Sequence, residues 1–315
     1  MNYSHFPHVR VALLVGCLAA FGLGCDNSVD QTIPDPEATP EGWSLVWSDE
    51  FDGAELDTTK WEYQLGDGCD QGLCGWGNGE FQNYTTENTS VADGVLTITA
   101  RQDIDDEDGD GIDDTTYTSS RLRTLGNGDW TYGRFEIKAK LPTGQGIWPA
   151  IWLLFSEDTY GGWAASGEID IMEAIGSAPG EVFGTLHYGG EFPDNVFSGE
   201  EFQLSFETFD QDFYVFALEW EEAVPDDTLT TDVDEFVPTT IRWYLNNVLY
   251  QTQTEADWFS TGAPEGNTAA PFDHPFHMIL NVAVGGNLPG APDATTTFPQ
   301  SMQVDYVRVY ERTAE

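Results

Sequence analysis

The stretch Gly167-Glu168-Ile169-Asp170-Ile171-Met172-Glu173-Ala174-Ile175-Gly176 sets three carboxylates among apolar residues. Side chains of a β-strand alternate between faces, so Glu168 and Asp170 share one face and Met172 is due next on it. Glu173 breaks that rhythm. Either it is an unrelated acid on the opposite face, or a β-bulge adds one residue around Ile171 and Met172 and returns it to the face of the other two. Even then the backbones of Glu168 and Glu173 lie about four strand steps, roughly 13 Å, apart. Their side chains converge only over a sheet curved so that this face is concave. Taken alone, the segment reads first as an acidic, exposed strand.

Outward from it, short runs with period-two patterning recur between Gly, Asn and Asp. Residues 95–100 follow an Asp93-Gly94 turn, and residues 132–140 alternate Tyr, Arg, Glu and Lys with Gly, Phe, Ile and Ala. Residues 213–221, 241–245, 248–252, 276–284 and 302–310 continue the series, with Asn246-Asn247 a favourable hairpin turn. No long stretch has helical periodicity. The expected fold is all-β, a jelly-roll β-sandwich of two curved antiparallel sheets with an open concave cleft.

With 315 residues the chain can bury a large core. The first 24 residues read as a signal peptide, since the apolar run 11–24 is too short for a permanent membrane span. Gly22-Leu23-Gly24 before Cys25 favours a lipoprotein signal with Cys25 lipidated. Leu14-Val15-Gly16-Cys17 matches that pattern better, but cleavage there would leave apolar residues 18–24 at the new terminus. Simple secretion is the alternative. Residues 26–41, with Pro34, Pro36 and Pro40, have a linker's composition, and the domain spans residues 42–315. Export makes a disulfide the expected state of Cys69 and Cys74, with free thiols as the alternative.

The net charge of -44 excludes nucleic acid, which requires clustered Lys and Arg. It also disfavours a polyanionic substrate, although salt screens that repulsion within about 10 Å. A neutral substrate fits better; the acidity otherwise serves to keep the surface solvated. Residues 106–114 place carboxylates and Gly111 as in the first half of a calcium loop, but Tyr117 stands where such a loop ends in Glu, so a mobile acidic loop is the default. Residues 222–238 read as a surface loop.

Retaining cleavage of a glycosidic bond needs a carboxylate nucleophile and a protonated carboxyl about 5 to 5.5 Å apart. Glu168 and Glu173 are suited to those roles, and Asp170 between them is placed to hydrogen-bond the nucleophile and keep a proton on a neighbour by like-charge repulsion. The flanking motifs are Trp47-Ser48-Asp49-Glu50-Phe51, Gly75-Trp76-Gly77-Asn78-Gly79-Glu80, Trp148-Pro149-Ala150-Ile151-Trp152-Leu153-Leu154, Gly184-Thr185-Leu186-His187-Tyr188-Gly189-Gly190 and Val304-Asp305-Tyr306-Val307-Arg308-Val309-Tyr310. Together with the acidic segment they resemble glycoside hydrolase family 16, in particular its laminarinase-like endo-β-1,3-glucanases, over residues 42–310.

That resemblance implies Glu168 as nucleophile, Asp170 as its helper and Glu173 as acid/base, with no cofactor for catalysis. The bulged spacing is similar to that of laminarinases, agarases and carrageenases, whereas lichenases and xyloglucan-modifying relatives lack the extra residue. Pyranose rings stack on flat aromatic surfaces, and among the 11 tryptophans Trp148, Trp152 and Trp163 lie just before the acids. The resemblance puts Trp152 and Trp163 at sugar subsites and His187 at the reaction centre. Asn78 and Arg121 are weaker candidates for sugar hydrogen bonds, and core packing is the better reading of Trp43, Trp47 and Trp243. It also implies a structural calcium held by Glu50, the Gly94 carbonyl and Asp305. Asn83, where an aromatic is common, and the long insertions near residues 105 and 230 bear on substrate preference. The expected activity is retaining, endo-acting hydrolysis of a neutral β-1,3-glucan by a monomer that meets membrane only through its lipid anchor. Mixed-linkage β-1,3-1,4-glucanase, another bulge-type polysaccharide hydrolase, and a non-catalytic glucan-binding protein are the alternatives.

Overall fold

The computed structural model describes residues 39–105, 114–225 and 236–313. The expected signal segment, Cys25, most of the linker, the acidic stretch 106–113 and residues 226–235 lie outside the described residues. In chain order the strands are β1 (Trp43–Asp49), β2 (Glu62–Tyr63), β3 (Gln82–Tyr84), β4 (Thr89–Ala92), β5 (Val95–Asp105), β6 (Asp114–Ser119), β7 (Arg121–Arg123), β8 (Asp129–Trp130), β9 (Gly133–Lys140) and β10 (Ile147–Phe155). They continue with β11 (Glu168–Glu173), β12 (Glu181–Gly189), β13 (Asn195–Gln203), β14 (Tyr214–Glu221), β15 (Val224–Pro225), β16 (Phe236–Val237), β17 (Thr240–Leu245), β18 (Val248–Thr254), β19 (Phe276–Val284) and β20 (Gln300–Arg312).

Two sheets stack as a jelly-roll sandwich. The first runs β18-β17-β14-β9-β20-β5-β6-β3, with β1 beside β20 and β4 beside β5; the second runs β13-β12-β11-β10-β19-β7-β2, with β8 beside β19. The inward residues of both, among them Phe135, Ile137, Leu218, Ile241, Ile169, Leu186 and Leu280, form one buried core. Asp93 and Gly94 (φ 53° and 77°) and Asn246 and Asn247 (φ 46° and 62°) make the left-handed two-residue turns that join β4 to β5 and β17 to β18. Trp43 and Trp243 are buried and Trp47 packs against the core.

Three features differ from the sequence expectation. The pairing of β3 with β6 is parallel, so the first sheet is mixed. Strand β13 extends the second sheet at an edge although Gly199, Glu200 and Glu201 blur its alternation. The polar face of β9 is solvated only toward its end: Arg134 and Glu136 are 3% and 1% exposed, because Glu219 and Asn247 close over Arg134 with hydrogen bonds of 2.7 and 2.8 Å, while Lys138 and Lys140 stay half-buried. Buried charges persist only when paired in this way.

Candidate active site

Strand β11 carries the bulge. On its β12 side Glu168 faces His187, Asp170 faces Thr185, and Glu173 faces Phe183, so Ile171 and Met172 together oppose Gly184 alone. On the β10 side Trp152 pairs with Asp170 and Ile151 with Met172, leaving Ile171 as the extra residue. Both Ile171 and Met172 turn into the core, and Glu173 returns to the face of Glu168 and Asp170. The freed Asp170 carbonyl accepts a hydrogen bond from Trp243 Nε1 of the other sheet at 2.8 Å. Gly184 permits this approach, since a Cβ there would lie 2.5 Å from the Trp243 ring.

The three carboxyls meet two indoles and an imidazole. Trp163 Nε1 donates to Glu168 Oε2 at 2.8 Å, and Trp148 Nε1 donates to Glu173 Oε1 at 3.0 Å. His187 Nε2 lies 3.4 Å from Asp170 Oδ2 and 3.7 Å from Glu168 Oε1. Burial pushes Asp170 well above the usual carboxylate range. Burial, then the neighbouring Asp170, pushes Glu168 up to about 8 against the opposing pull of His187 and the Trp163 N–H. Burial and Asp170 likewise raise Glu173 to about 8, against His187 and the Trp148 N–H. Such coupled acids share protons as a set. Two glutamates that titrate together on one buried face pass through a singly ionised state, and Glu168 has the closer His187. One face thus presents an anion beside an acid.

Aromatic rings flank the acids on both sides. Toward β10, Trp152 gives its indole N–H to Asn281 Oδ1 at 2.8 Å. Arg121 is buried, with its guanidinium 4.8 Å from the Trp152 ring and 4.5 Å from that of Trp76, so it supports the ring rather than reaching out from the face. Asn78 spends its amide on Glu80 Oε1 at 3.3 Å. Toward β12 and β13, the Trp163 and His187 rings lie 5.5 Å apart and His187 and Phe197 5.8 Å apart, with Phe197 39% exposed. Phe197 escaped the sequence reading because its strand did. So did Asn281, whose only signal was a polar residue inside the apolar run 276–284. Cys69 and Cys74 are disulfide-bonded in the loop that leads to Trp76.

Strand register sets the three residues expected to hold calcium beside one gap in the pairing. One edge of β20 pairs with β5 up to Val304 and with β1 from Val307 onward. Asp305 falls between, where Glu50 leaves β1 and Gly94 enters β5. Two carboxylates and a carbonyl suit a hard cation. Their charge is already met by protein cations: Glu50 accepts from Arg308 Nε and Nη2 at 2.9 and 2.8 Å, and Asp305 Oδ2 lies 2.8 Å from Lys138 Nζ. Elsewhere among the described residues, Glu168, Asp170 and His187 bring ligand atoms within 4.8 Å of one another. A cation there would quench the anion that the face presents.

The profile of Glycosyl hydrolases family 16 matches residues 78–308. A glucan endo-1,3-beta-glucosidase A1 from Niallia circulans is 43% identical over 277 residues, which cover 86% of this chain and 38% of that one. The chain therefore spans well under half of that relative's length. A beta-glucanase from Rhodothermus marinus is 39% identical over 317 residues, covering 95% and 92% of the two chains. Among solved structures, the laminarinase catalytic domain from Thermotoga maritima is similar with a TM-score of 0.71 at 38% identity, over 87% of this chain and 100% of that one. A match of that length, on a fold shared across the whole domain, makes this chain a member of glycosyl hydrolase family 16.

Proposed function

We propose that the protein cleaves a neutral β-1,3-linked glucan from within the chain, with retention at the anomeric carbon. The observation that carries this reading is the bulge, which returns Glu173 to the face of Glu168 and leaves each glutamate with one indole donor. The name of the Niallia circulans relative, 43% identical, supports β-1,3-glucan as the substrate. Glu173 gives its proton to the glycosidic oxygen as Glu168 attacks the anomeric carbon, so the C–O bond breaks while a glycosyl–Glu168 ester forms. Glu173, now ionised, takes a proton from water, whose oxygen displaces Glu168 and restores both groups. Asp170, between the two glutamates, steadies the Glu168 carboxylate. His187 favours the ionised form of both glutamates.

The cleft has ring platforms toward both neighbouring strands, which suits a polymer lying across β10 to β13 and cut internally. Export to the cell envelope, with Cys25 lipidated after removal of residues 1–24, belongs to the same reading; the Cys69–Cys74 disulfide supports an oxidising compartment. A calcium bound by Glu50, Asp305 and the Gly94 carbonyl would tie the first strand to the last, in exchange with Arg308 and Lys138. The test is reducing-end release by the purified protein from laminarin, mixed-linkage glucan and agarose, with products sized by chromatography. Mixed oligosaccharides from laminarin are the expected result. Laminarin binding with no cleavage of any polymer would overturn it in favour of a glucan-binding protein.

A further inference from the structure

A buried polar chain that the chemistry does not use runs up to Trp152. Trp152 Nε1 donates to Asn281 Oδ1 at 2.8 Å, Asn281 Nδ2 donates to Tyr84 Oη at 3.2 Å, and Tyr84 Oη donates to Glu80 Oε2 at 3.0 Å. Tyr84, Asn281 and Glu80 are all buried. Gln82 Nε2 holds the same Glu80 oxygen at 2.7 Å, and its own Oε1 accepts from the Val284 backbone at 2.7 Å. Arg121 lies against Trp152 and Trp76, anchored through Nε to Gln64 Oε1 at 2.6 Å.

The direction of every bond in this chain follows from its end. Both Glu80 oxygens accept, Oε1 from Asn78 Nδ2 and Oε2 from Gln82 Nε2 and Tyr84 Oη, so Tyr84 spends its proton on Glu80. Its oxygen is then left to accept, which turns the Asn281 amide so that Nδ2 faces Tyr84. The amide oxygen therefore faces the indole. Burying a carboxylate is costly, and Glu80 offsets that cost with donors from Tyr84, Gln82 and Asn78 and with the nearby charge of Arg121. What the carboxylate supplies in return is a single orientation for Asn281 and hence for the ring it holds.

We infer that Glu80 is a positioning residue which, through Tyr84 and Asn281, sets the plane of the Trp152 indole as a stacking platform for a pyranose ring of the substrate. The inference rests on the reading of Trp152 as part of a glucan cleft. Its effect is on binding: a ring free to tilt loses stacking on the sugar, while the acids on β11 are untouched.

The experiment is a double-mutant cycle of Tyr84→Phe and Trp152→Phe, read as kcat and KM on laminarin. Binding of a laminari-oligosaccharide is read alongside by tryptophan fluorescence in Glu168→Gln protein. Tyr84→Phe keeps the ring against Trp76 and removes only the hydroxyl; it should raise KM about tenfold, the worth of one buried hydrogen bond, with kcat held within about twofold. Trp152→Phe removes the indole N–H that the chain ends on, so adding Tyr84→Phe to it should cost nothing further. An unchanged KM in Tyr84→Phe, or effects that multiply in the double variant, would overturn the inference alone. A wild-type protein that neither cleaves nor binds laminarin would sink the proposed function and this inference with it. Should Tyr84→Phe fail to fold, Glu80→Gln takes its place in the same cycle, with the same outcomes.

Discussion

Glu168 lies opposite His187 and Glu173 lies opposite Phe183, so five residue steps on β11 are matched by four on β12. That single extra residue decides which way Glu173 points. It puts two glutamate carboxyls on one face, each held by the indole of a different tryptophan.

Removing either carboxyl should abolish the reaction, but in distinguishable ways. Glu168→Gln is expected to lower kcat on laminarin by a factor on the order of 10³ or more, whatever the leaving group. Glu173→Gln should lower it about 10² to 10⁴-fold on the polymer yet much less on aryl glycosides, whose leaving groups need no proton. Equal losses on both substrate classes would reverse the assignment of the acid.

The pH dependence follows from the shared burial of the trio. The acid must hold its proton, and Glu173 is pushed up to about 8, so kcat/KM should fall as pH rises past that region. The nucleophile must be ionised, and Glu168 is also pushed up to about 8, so activity should fall on the acidic side well above the ordinary Glu value of about 4.3. The two glutamates titrate as a pair, giving a bell with both limbs displaced upward. A profile whose acidic limb sits at pH 4 would contradict this electrostatic account.

The same burial has a cost in stability whose sign is fixed. Glu168 has a folded-state value of about 8, above that of the unfolded chain, so the folded state binds more protons between about 4.5 and 8 and loses stability as pH rises through that window. Glu168→Gln removes the charge. It should raise the melting temperature at pH 9 by several degrees, equivalent to about 1–3 kcal/mol, and change it little at pH 4. Calorimetry at the two pH values checks this; an equal change at both would refute it.

Trp163 has two tasks that one substitution can separate. Its ring faces His187, and its N–H holds Glu168 Oε2. Trp163→Phe retains an aromatic surface and drops the charge-assisted hydrogen bond, so kcat should fall about tenfold or more with a smaller change in KM. Trp163→Ala should raise KM as well. Steady-state kinetics on laminarin read both.

If calcium occupies the gap beside Asp305, adding chelator should lower the melting temperature by a few degrees and adding calcium should restore it. Glu50→Ala should erase the difference between the two conditions. No response of the wild-type protein to either would mean that Arg308 and Lys138 meet these carboxylates without a metal.

The order of acidic residues around Asp170 was enough to pose the alternatives for Glu173, because strand alternation has a period of two and any odd spacing must be resolved by an extra residue or a change of face. The same periodicity, with the Asp93-Gly94 and Asn246-Asn247 turns, made the sandwich legible: these are local properties of neighbouring residues. Tertiary structure alone decided which partner each polar group finds. Asn281 reaches Trp152 and Tyr84 across 129 and 197 residues of chain. Trp243 crosses from the other sheet to the Asp170 carbonyl, and Arg134 is buried by a hairpin more than a hundred residues later. No local pattern encodes such meetings, since they depend on which strands the sheets bring side by side. Nor does spacing reveal how far the acids lose solvent, which comes from every element packed around them and moves two glutamates to about 8.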